Sequence, residues 1–153
     1  MISNIYYVLK GDIRVLYIFK KFLEEWYVVP YLHYLQEVNL LRTVGGMARG
    51  NRYILKSDKI YLHNTNLLEV LCTNSNIGTI RGTFFASQVH HKYTLHYPRF
   101  GDFQVNEKYY FEIGGPNKEF VQIKDVQNSF LVKDRIESGY KNSTPLWLFG
   151  FLY

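Results

Sequence analysis

Residues 101–123 read GDFQVNEKYYFEIGGPNKEFVQI, and this stretch decides the fold that the sequence predicts. DFQV and YYFEIGG are short, largely apolar runs separated by a turn, which predicts the two strands of a hairpin. Asp102 opens the first strand, and Glu112 lies among the apolar residues of the second. The pattern therefore predicts a hairpin that carries one carboxylate on each strand.

The segments on either side of this hairpin predict an α+β fold. Before it, IGTIRGTFFASQVHH has the apolar spacing of a helix and YTLHYP predicts a strand. After it, NKEFVQIKDVQN predicts a polar helix, and SFLVKD and PLWLFGFL predict two more strands. We expect the last strand to be buried on both faces, with Trp147 and Phe149 on one face and Leu146 and Leu148 on the other. A helix, a three-strand meander, a helix and two strands is the element order of restriction-endonuclease-like cores.

Residues 1–62 predict a helical region followed by part of a winged helix. RVLYIFKKFLEEWYVV has the spacing of an amphipathic helix, and Pro30 fits the first residue of a second helix that ends near Val38. NLLRTVGG then predicts a turn into a strand, and the apolar runs RYIL and KIYL predict strands on either side of a loop. The next helix, TNLLEVLC, has Asn64 or Thr65 as its N-cap. We place the domain boundary between residues 62 and 63.

The composition is typical of a globular protein. The chain has 153 residues, of which 47% are hydrophobic, enough for one compact core or two very small ones. A net charge of +5 is compatible with a nucleic-acid or acidic partner, although the basic residues do not form one dense run. The single cysteine, Cys72, lies in an apolar helical pattern, so we expect a buried thiol and a cytoplasmic protein. No apolar run approaches the roughly 20 residues that a membrane span requires, so we expect no membrane partner.

Four phrases of the sequence, KSDKIYLHNTNLLEVL, NIGTIRGTFF, GDFQVNEKYYFEIGGPNKEFVQI and PLWLFGFLY, together resemble the C-terminal region of a large family of prokaryotic AAA-type ATPases. In that family an ATPase domain precedes a winged helix and a domain similar to the PD-(D/E)XK nucleases. The resemblance covers about residue 31 to the end, and YLHYLQEVNLLRTV looks like the winged-helix recognition region. It implies a partial winged helix over residues 1–62 and a nuclease-like α/β/α core with a mixed sheet over residues 63–153.

The ATPase domain of that family has no counterpart in this sequence. No G-x-x-x-x-G-K-S/T segment occurs, so no loop is expected to hold the phosphates of ATP. We therefore expect no ATP site and no ATP hydrolysis by this chain alone. The chain looks like a C-terminal fragment or a split relative of the family.

The resemblance implies a metal-dependent nuclease site on the predicted hairpin. Asp102 and Glu112 would hold Mg²⁺ or Mn²⁺, and a lysine would stabilise the developing charge. Lys118 is the candidate for that lysine, and Gln122 would face the same side if its segment is helical. The structural alternative is that Glu112 bonds Lys118 or backbone N–H groups and closes the hairpin.

Three glycine or proline positions depart from the pattern of the nuclease-like family. Gly114 stands where the nuclease lysine is usual, Gly82 replaces a glutamate of the helix phrase, and Pro116 replaces an early lysine of the glycine-rich phrase. The catalytic set is therefore expected to be incomplete.

The winged-helix region supplies the candidate contacts to DNA. They are His33 and Gln36 on the helix, where base edges are read, and three arginines around the wing, where phosphates are met: Arg42, Arg49 and Arg52. The helix itself carries one acid, Glu37, and no lysine or arginine. The alternative is a domain that packs on an ATPase and does not touch DNA.

Two classes of function are therefore open. The first is a binding module, without catalysis of its own, for nucleic acid, for a separate ATPase chain or for another protein. The second is a divalent-metal-dependent nuclease that uses Asp102 and Glu112. A gene remnant without function is a third possibility, and the sequence leaves the oligomeric state open.

Overall fold

The structure is a computed structural model that describes residues 28–46, 57–72 and 74–152. It divides into two compact units, Met1–Thr83 and Phe84–Tyr153. The division falls within a helix, and the predicted boundary at residues 62 and 63 stays a prediction. The described part of the chain is mixed α and β, with one two-stranded and one five-stranded sheet.

The first unit contains a helix packed beside an antiparallel strand pair, and the sequence predicts the helix and the strands. Its elements in chain order are α1 (Val28–Glu37), β1 (Leu41–Gly45), β2 (Ser57–Leu62), α2 (Thr65–Leu71) and the beginning of α3 (Ile77–Val89). β1 and β2 are antiparallel neighbours, with Leu41 opposite Leu62. The predicted strand RYIL lies outside the described residues. Asn64 is the N-cap of α2, because its Oδ1 accepts a hydrogen bond from the Leu67 N–H at 2.9 Å.

The second unit is built on a five-stranded mixed sheet. Its strands, in both chain and spatial order, are β3 (Leu95–His96), β4 (Phe103–Val105), β5 (Tyr109–Gly114), β6 (Ser129–Lys133) and β7 (Ser143–Pro145). The first three form an antiparallel meander, and β5, β6 and β7 run parallel. Mixed pairing of this kind requires a crossover from β5 to β6, which is formed by residues 115–128.

An aromatic cluster forms the core on one face of this sheet. Phe85 of α3 is fully buried, and its ring centre lies 5.1 Å from that of Phe103, 5.2 Å from Phe111 and 4.7 Å from Phe149. Phe103 and Phe111 are register partners on β4 and β5, so their side chains share a face. Glu112, the next residue of β5, therefore points to the opposite face.

The crossover is not the helix that NKEFVQIKDVQN predicts. Residues 115–128 form turns, and Ile123 among them is fully buried beside Gly101. The segment is rich in Asn, Asp and β-branched residues, which favour turns or strands over helix interiors, so contacts with the sheet decide its conformation. Gly101 permits the close approach, because its φ is +83° and an added Cβ would lie 3.1 Å from Ile123 Cγ2.

The prediction of a strand over PLWLFGFL is also wrong. Residues Leu146–Phe151 form a 3₁₀ helix, and the strand is the shorter segment before them. Pro145 cannot donate to a ladder, so it ends β7, and a six-residue apolar run does not distinguish strand from helix by periodicity. Trp147 is 50% exposed and Leu148 is 42% exposed, whereas Leu146 is buried. The segment is thus not a central strand covered on both faces.

Two further features bear on expectations from the sequence. Cys72 is buried at the end of α2, as predicted. Within the described residues, no helix combines the length and the apolar character that crossing a membrane requires.

Candidate functional site

The candidate site centres on Glu112, whose carboxylate is buried on the second face of the large sheet. The Glu112 side chain is only 4% exposed. Burial of a carboxylate without compensating partners is costly, so its neighbours determine what it can do. Those neighbours come from the crossover that follows the same strand.

Lys118 and Gln122 satisfy the buried carboxylate. Lys118 Nζ lies 2.6 Å from Glu112 Oε1, and its side chain is 33% exposed. The hydrogen-bonding network assigns the Gln122 amide with its nitrogen toward Glu112, where it donates to Oε1 at 3.0 Å and to Oε2 at 3.2 Å. The structure thus brings Glu112, Lys118 and Gln122 together, although Gln122 reaches the site from a turn and not from a helix.

Gly114 and Pro116 explain how Lys118 reaches Glu112. The Lys118 N–H donates to the Gly115 carbonyl at 3.1 Å, closing a four-residue turn with Pro116 at its second position, where proline is favoured. The turn returns the Lys118 stem over Gly114. A Cβ added to Gly114 would lie 2.5 Å from Lys118 Cβ and 2.9 Å from Cδ, which no real side chain tolerates. Gly114 and Pro116, two of the departures from the family pattern, therefore act together to let a lysine of the crossover reach Glu112.

Asp102 lies beside Glu112, but its hydrogen bonds join β4 to β5. Its N–H donates to the Phe111 carbonyl at 2.8 Å, and its Oδ2 accepts from the Ile113 N–H at 2.9 Å. These two bonds bracket Glu112 on the neighbouring strand. One carboxylate oxygen of Asp102 thus replaces a backbone acceptor and extends the β4–β5 pairing past the end of β4.

A second lysine, which the sequence did not single out, lies next to Gly114. Lys133 ends β6 directly opposite Gly114 in the parallel register, and its Nζ donates to the Pro116 carbonyl at 3.1 Å. Its position at the polar end of the strand phrase SFLVKD was the only available signal. Lys133 therefore ties the end of β6 to the turn that carries Lys118.

This arrangement does not fit a divalent cation. Mg²⁺ and Mn²⁺ need carboxylate oxygens that are open to the metal, whereas both oxygens of Glu112 accept hydrogen bonds and one contacts an ammonium group. The Lys118 ammonium also offsets the negative charge of Glu112 that would attract the cation. Among residues 28–46, 57–72 and 74–152, no cluster of three or more His, Cys, Asp or Glu residues could hold a metal ion.

At Gly82, the third departure from the family pattern, the space that a side chain would need is likewise close to another residue of the first unit. A Cβ added there would lie 3.1 Å from Cε1 of Tyr61, a buried residue of β2. A side chain at position 82 would require this ring to shift by a few tenths of an ångström. The missing glutamate of the helix phrase thus coincides with space taken by an aromatic side chain.

The candidate DNA contacts that the structure describes differ in exposure and in hydrogen bonding. His33 is exposed and lies 3.3 Å from Glu37 Oε1. Gln36 Oε1 accepts from the Thr43 N–H at 3.2 Å and from the Thr43 hydroxyl at 2.6 Å, so it ties α1 to β1. Arg42 is 7% exposed, and burial lowers the pKa of its guanidinium.

These placements bear on the expected DNA contacts in different ways. Arginine keeps its charge at neutral pH even with a lowered pKa, but little of the Arg42 surface is open to a phosphate. The amide oxygen of Gln36 is already engaged. The last two candidates, Arg49 and Arg52, lie outside the described residues, and DNA contact by this set stays a prediction.

Comparisons with protein-family models, with curated proteins and with solved structures found no match for this chain.

Proposed function

We propose that the chain is a binding module without catalysis of its own, in the form of a partial winged helix followed by a nuclease-like core. It would be the C-terminal part, or a split relative, of an AAA-family ATP-binding protein that acts in the cytoplasm. The observation that carries the absence of catalysis is the Glu112 carboxylate, which Lys118 and Gln122 already satisfy.

The support for the absence of catalysis is electrostatic. A nuclease carboxylate must exchange its hydrogen-bond donors for a metal, and here that exchange breaks an ion pair whose acidic partner is 4% exposed. Lys118 is held by a turn and by the glycine beneath its stem, so withdrawing it also loses packing. Glu112 then acts as the anchor of the crossover and not as a metal ligand.

Nucleic acid and a protein surface are the two kinds of partner for such a module. The net charge of +5 favours an anionic partner and predicts that binding weakens as salt rises. A separate ATPase chain would be the protein partner that the sequence resemblance implies. Salt-dependent binding to DNA, measured by fluorescence anisotropy on single-stranded and duplex oligonucleotides, distinguishes the two kinds.

The experiment that tests the absence of catalysis compares DNA cleavage in Mn²⁺ for the wild-type chain and Asp102→Ala. A matched control is Glu107→Gln, which removes an exposed carboxylate from the turn between β4 and β5. We expect no cleavage by any of the three proteins. Cleavage by the wild type and Glu107→Gln, with loss in Asp102→Ala, would replace the binding module with a metal-dependent nuclease, because Asp102 does lie beside Glu112.

A further inference from the structure

One end of the five-stranded sheet carries three pairs of adjacent lysine and tyrosine residues. β3, β5, β6 and β7 all run in one direction, because β4 is antiparallel to both of its neighbours and the last three strands are parallel. The segments that lead into these strands therefore lie at the same end of the sheet. We call the following six residues the Lys–Tyr edge: Lys92 and Tyr93 before β3, Lys108 and Tyr109 at the start of β5, and Tyr140 and Lys141 before β7.

Hydrogen bonds hold the segments of the Lys–Tyr edge at this end of the sheet. The Asn106 N–H donates to the Thr94 carbonyl at 3.0 Å, which joins the segment before β3 to the turn before β5. Asn142 Nδ2 donates to the Ser129 carbonyl at 3.0 Å, which joins the segment before β7 to the start of β6. The starts of β3, β5 and β7 are each two strands apart, about 10 Å, so the edge extends over about 20 Å.

The three lysines of the edge are exposed, and two of them lie over aromatic rings. Lys108 Nζ lies 5.1 Å from the centre of the Tyr109 ring, and Lys141 Nζ lies 5.3 Å from the centre of the Tyr140 ring. Among the residues that the structure describes, no salt bridge joins these two lysines or Lys92 to an acid. Their positive charge is therefore left for an anionic partner.

Two cations at the opposite end of the sheet are placed differently. Lys118 contacts the carboxylate of Glu112 at 2.6 Å, and Arg135 Nε lies 3.9 Å from Asp134 Oδ2. Acidic groups thus offset the charge of these two side chains. An anionic partner is therefore attracted more strongly to the Lys–Tyr edge than to the end of the sheet that carries Lys118.

We propose that the Lys–Tyr edge binds single-stranded nucleic acid, with its lysines on phosphates and the rings of Tyr93 and Tyr140 stacked on bases. Tyr93 is 37% exposed and Tyr140 is 75% exposed. Basic side chains along the backbone and aromatic rings under the bases are the two features that single strands require. A duplex or an acidic protein surface would use the lysines and leave the rings without a base. The proposal rests on the binding role proposed above and names the partner of one surface.

Fluorescence anisotropy of a labelled single-stranded oligothymidylate, titrated with the full chain over a series of salt concentrations, tests the proposal. Lys108→Gln combined with Lys141→Gln should raise the Kd about tenfold and lower the dependence of log Kd on log salt by about 1.4, because each phosphate contact contributes about 0.7. Arg99→Gln combined with Arg135→Gln is the matched control. It removes the same charge from exposed side chains at the opposite end of the sheet and should leave the salt dependence unchanged.

Tyr140→Ala separates stacking from charge. Loss of one stacked base should raise the Kd for the single strand at least about fivefold without changing the salt dependence. The same substitution should not affect binding of a duplex of equal length, whose bases are already stacked on each other. All the substituted side chains are exposed, and circular dichroism checks that each variant folds.

Two results would overturn the proposal in distinguishable ways. Single-strand binding that both double variants weaken equally, or that Tyr140→Ala leaves unchanged, would remove the Lys–Tyr edge as the site and leave the binding role in place. Absence of binding by the wild type at low salt would overturn the nucleic-acid partner as well, so that a protein partner remains for the module.

Discussion

Replacing Lys118 by methionine removes the ammonium group from Glu112 and keeps the aliphatic stem that lies over Gly114. Loss of one partner from a buried ion pair costs about 3–5 kcal/mol of unfolding free energy. Here the cost should be lower, because Lys118 is 33% exposed, solvent screens the pair, and Gln122 still donates to both oxygens of Glu112. We expect Lys118→Met to lower the unfolding free energy by about 2–3 kcal/mol at neutral pH.

Urea unfolding followed by circular dichroism measures this effect, and a double-mutant cycle assigns it to the pair. In a Glu112→Gln background the buried side chain is neutral, so Lys118→Met should cost about 1–2 kcal/mol less than it does in the wild type. Lys124→Met, in an exposed part of the same crossover, should change stability by less than about 0.5 kcal/mol. Strict additivity of the two substitutions at Glu112 and Lys118, or a Lys118→Met effect no larger than that of Lys124→Met, would refute the reasoning.

Three further substitutions test the surroundings of the site and the core by the same urea assay. Gly114→Ala should lower the unfolding free energy by about 1–3 kcal/mol, because the added Cβ collides with the Lys118 stem. Gly45→Ala, which has no atom within 4 Å of the added Cβ, should not lower it, and equal effects of the two substitutions would contradict the packing described. Phe85→Ala should cost about 3–5 kcal/mol, since this fully buried ring contacts three others, and a loss below about 1 kcal/mol would remove it from the core. Asn64→Ala should cost about 1 kcal/mol through the lost cap of α2, and Asn64→Ser should recover most of it.

Local signals in the sequence were sufficient for most of the helices and strands. Pro30 and the leucine spacing predicted a helix over residues 30–38, and the structure has Val28–Glu37. The cap before TNLLEVLC and the hairpin of β4 and β5 were likewise predicted, because caps and tight turns depend on neighbouring residues. The class of the fold, a mixed α and β protein with a mixed sheet, follows from the order of these elements.

The sequence failed where contacts distant along the chain decide the conformation. The crossover was predicted as a polar helix, but the burial of Ile123 and the two side chains that bind Glu112 fix it as a series of turns. The run LWLFGF satisfies strand and helix patterns equally, and the proline at 145 ends the strand before it.

The sequence predicted which residues of the site meet, but not how they are arranged. Glu112, Lys118 and Gln122 do meet, as the alternative of a carboxylate bonded to Lys118 required. The packing of Lys118 on Gly114 and the position of Lys133 opposite Gly114 depend on the strand register, which composition and spacing do not contain. The sequence thus shows that position 114 lacks the usual lysine, but it does not show that the stem of Lys118 packs on this glycine.

Binding of Mn²⁺ to the intact chain tests the central claim most directly. Electron paramagnetic resonance of free Mn²⁺ at millimolar concentration should give the same signal with the wild type as with Glu112→Gln, because Lys118 and Gln122 already satisfy this carboxylate. Uptake of Mn²⁺ by the wild type that is lost in both Glu112→Gln and Asp102→Asn would contradict the account and identify the hairpin as a metal site.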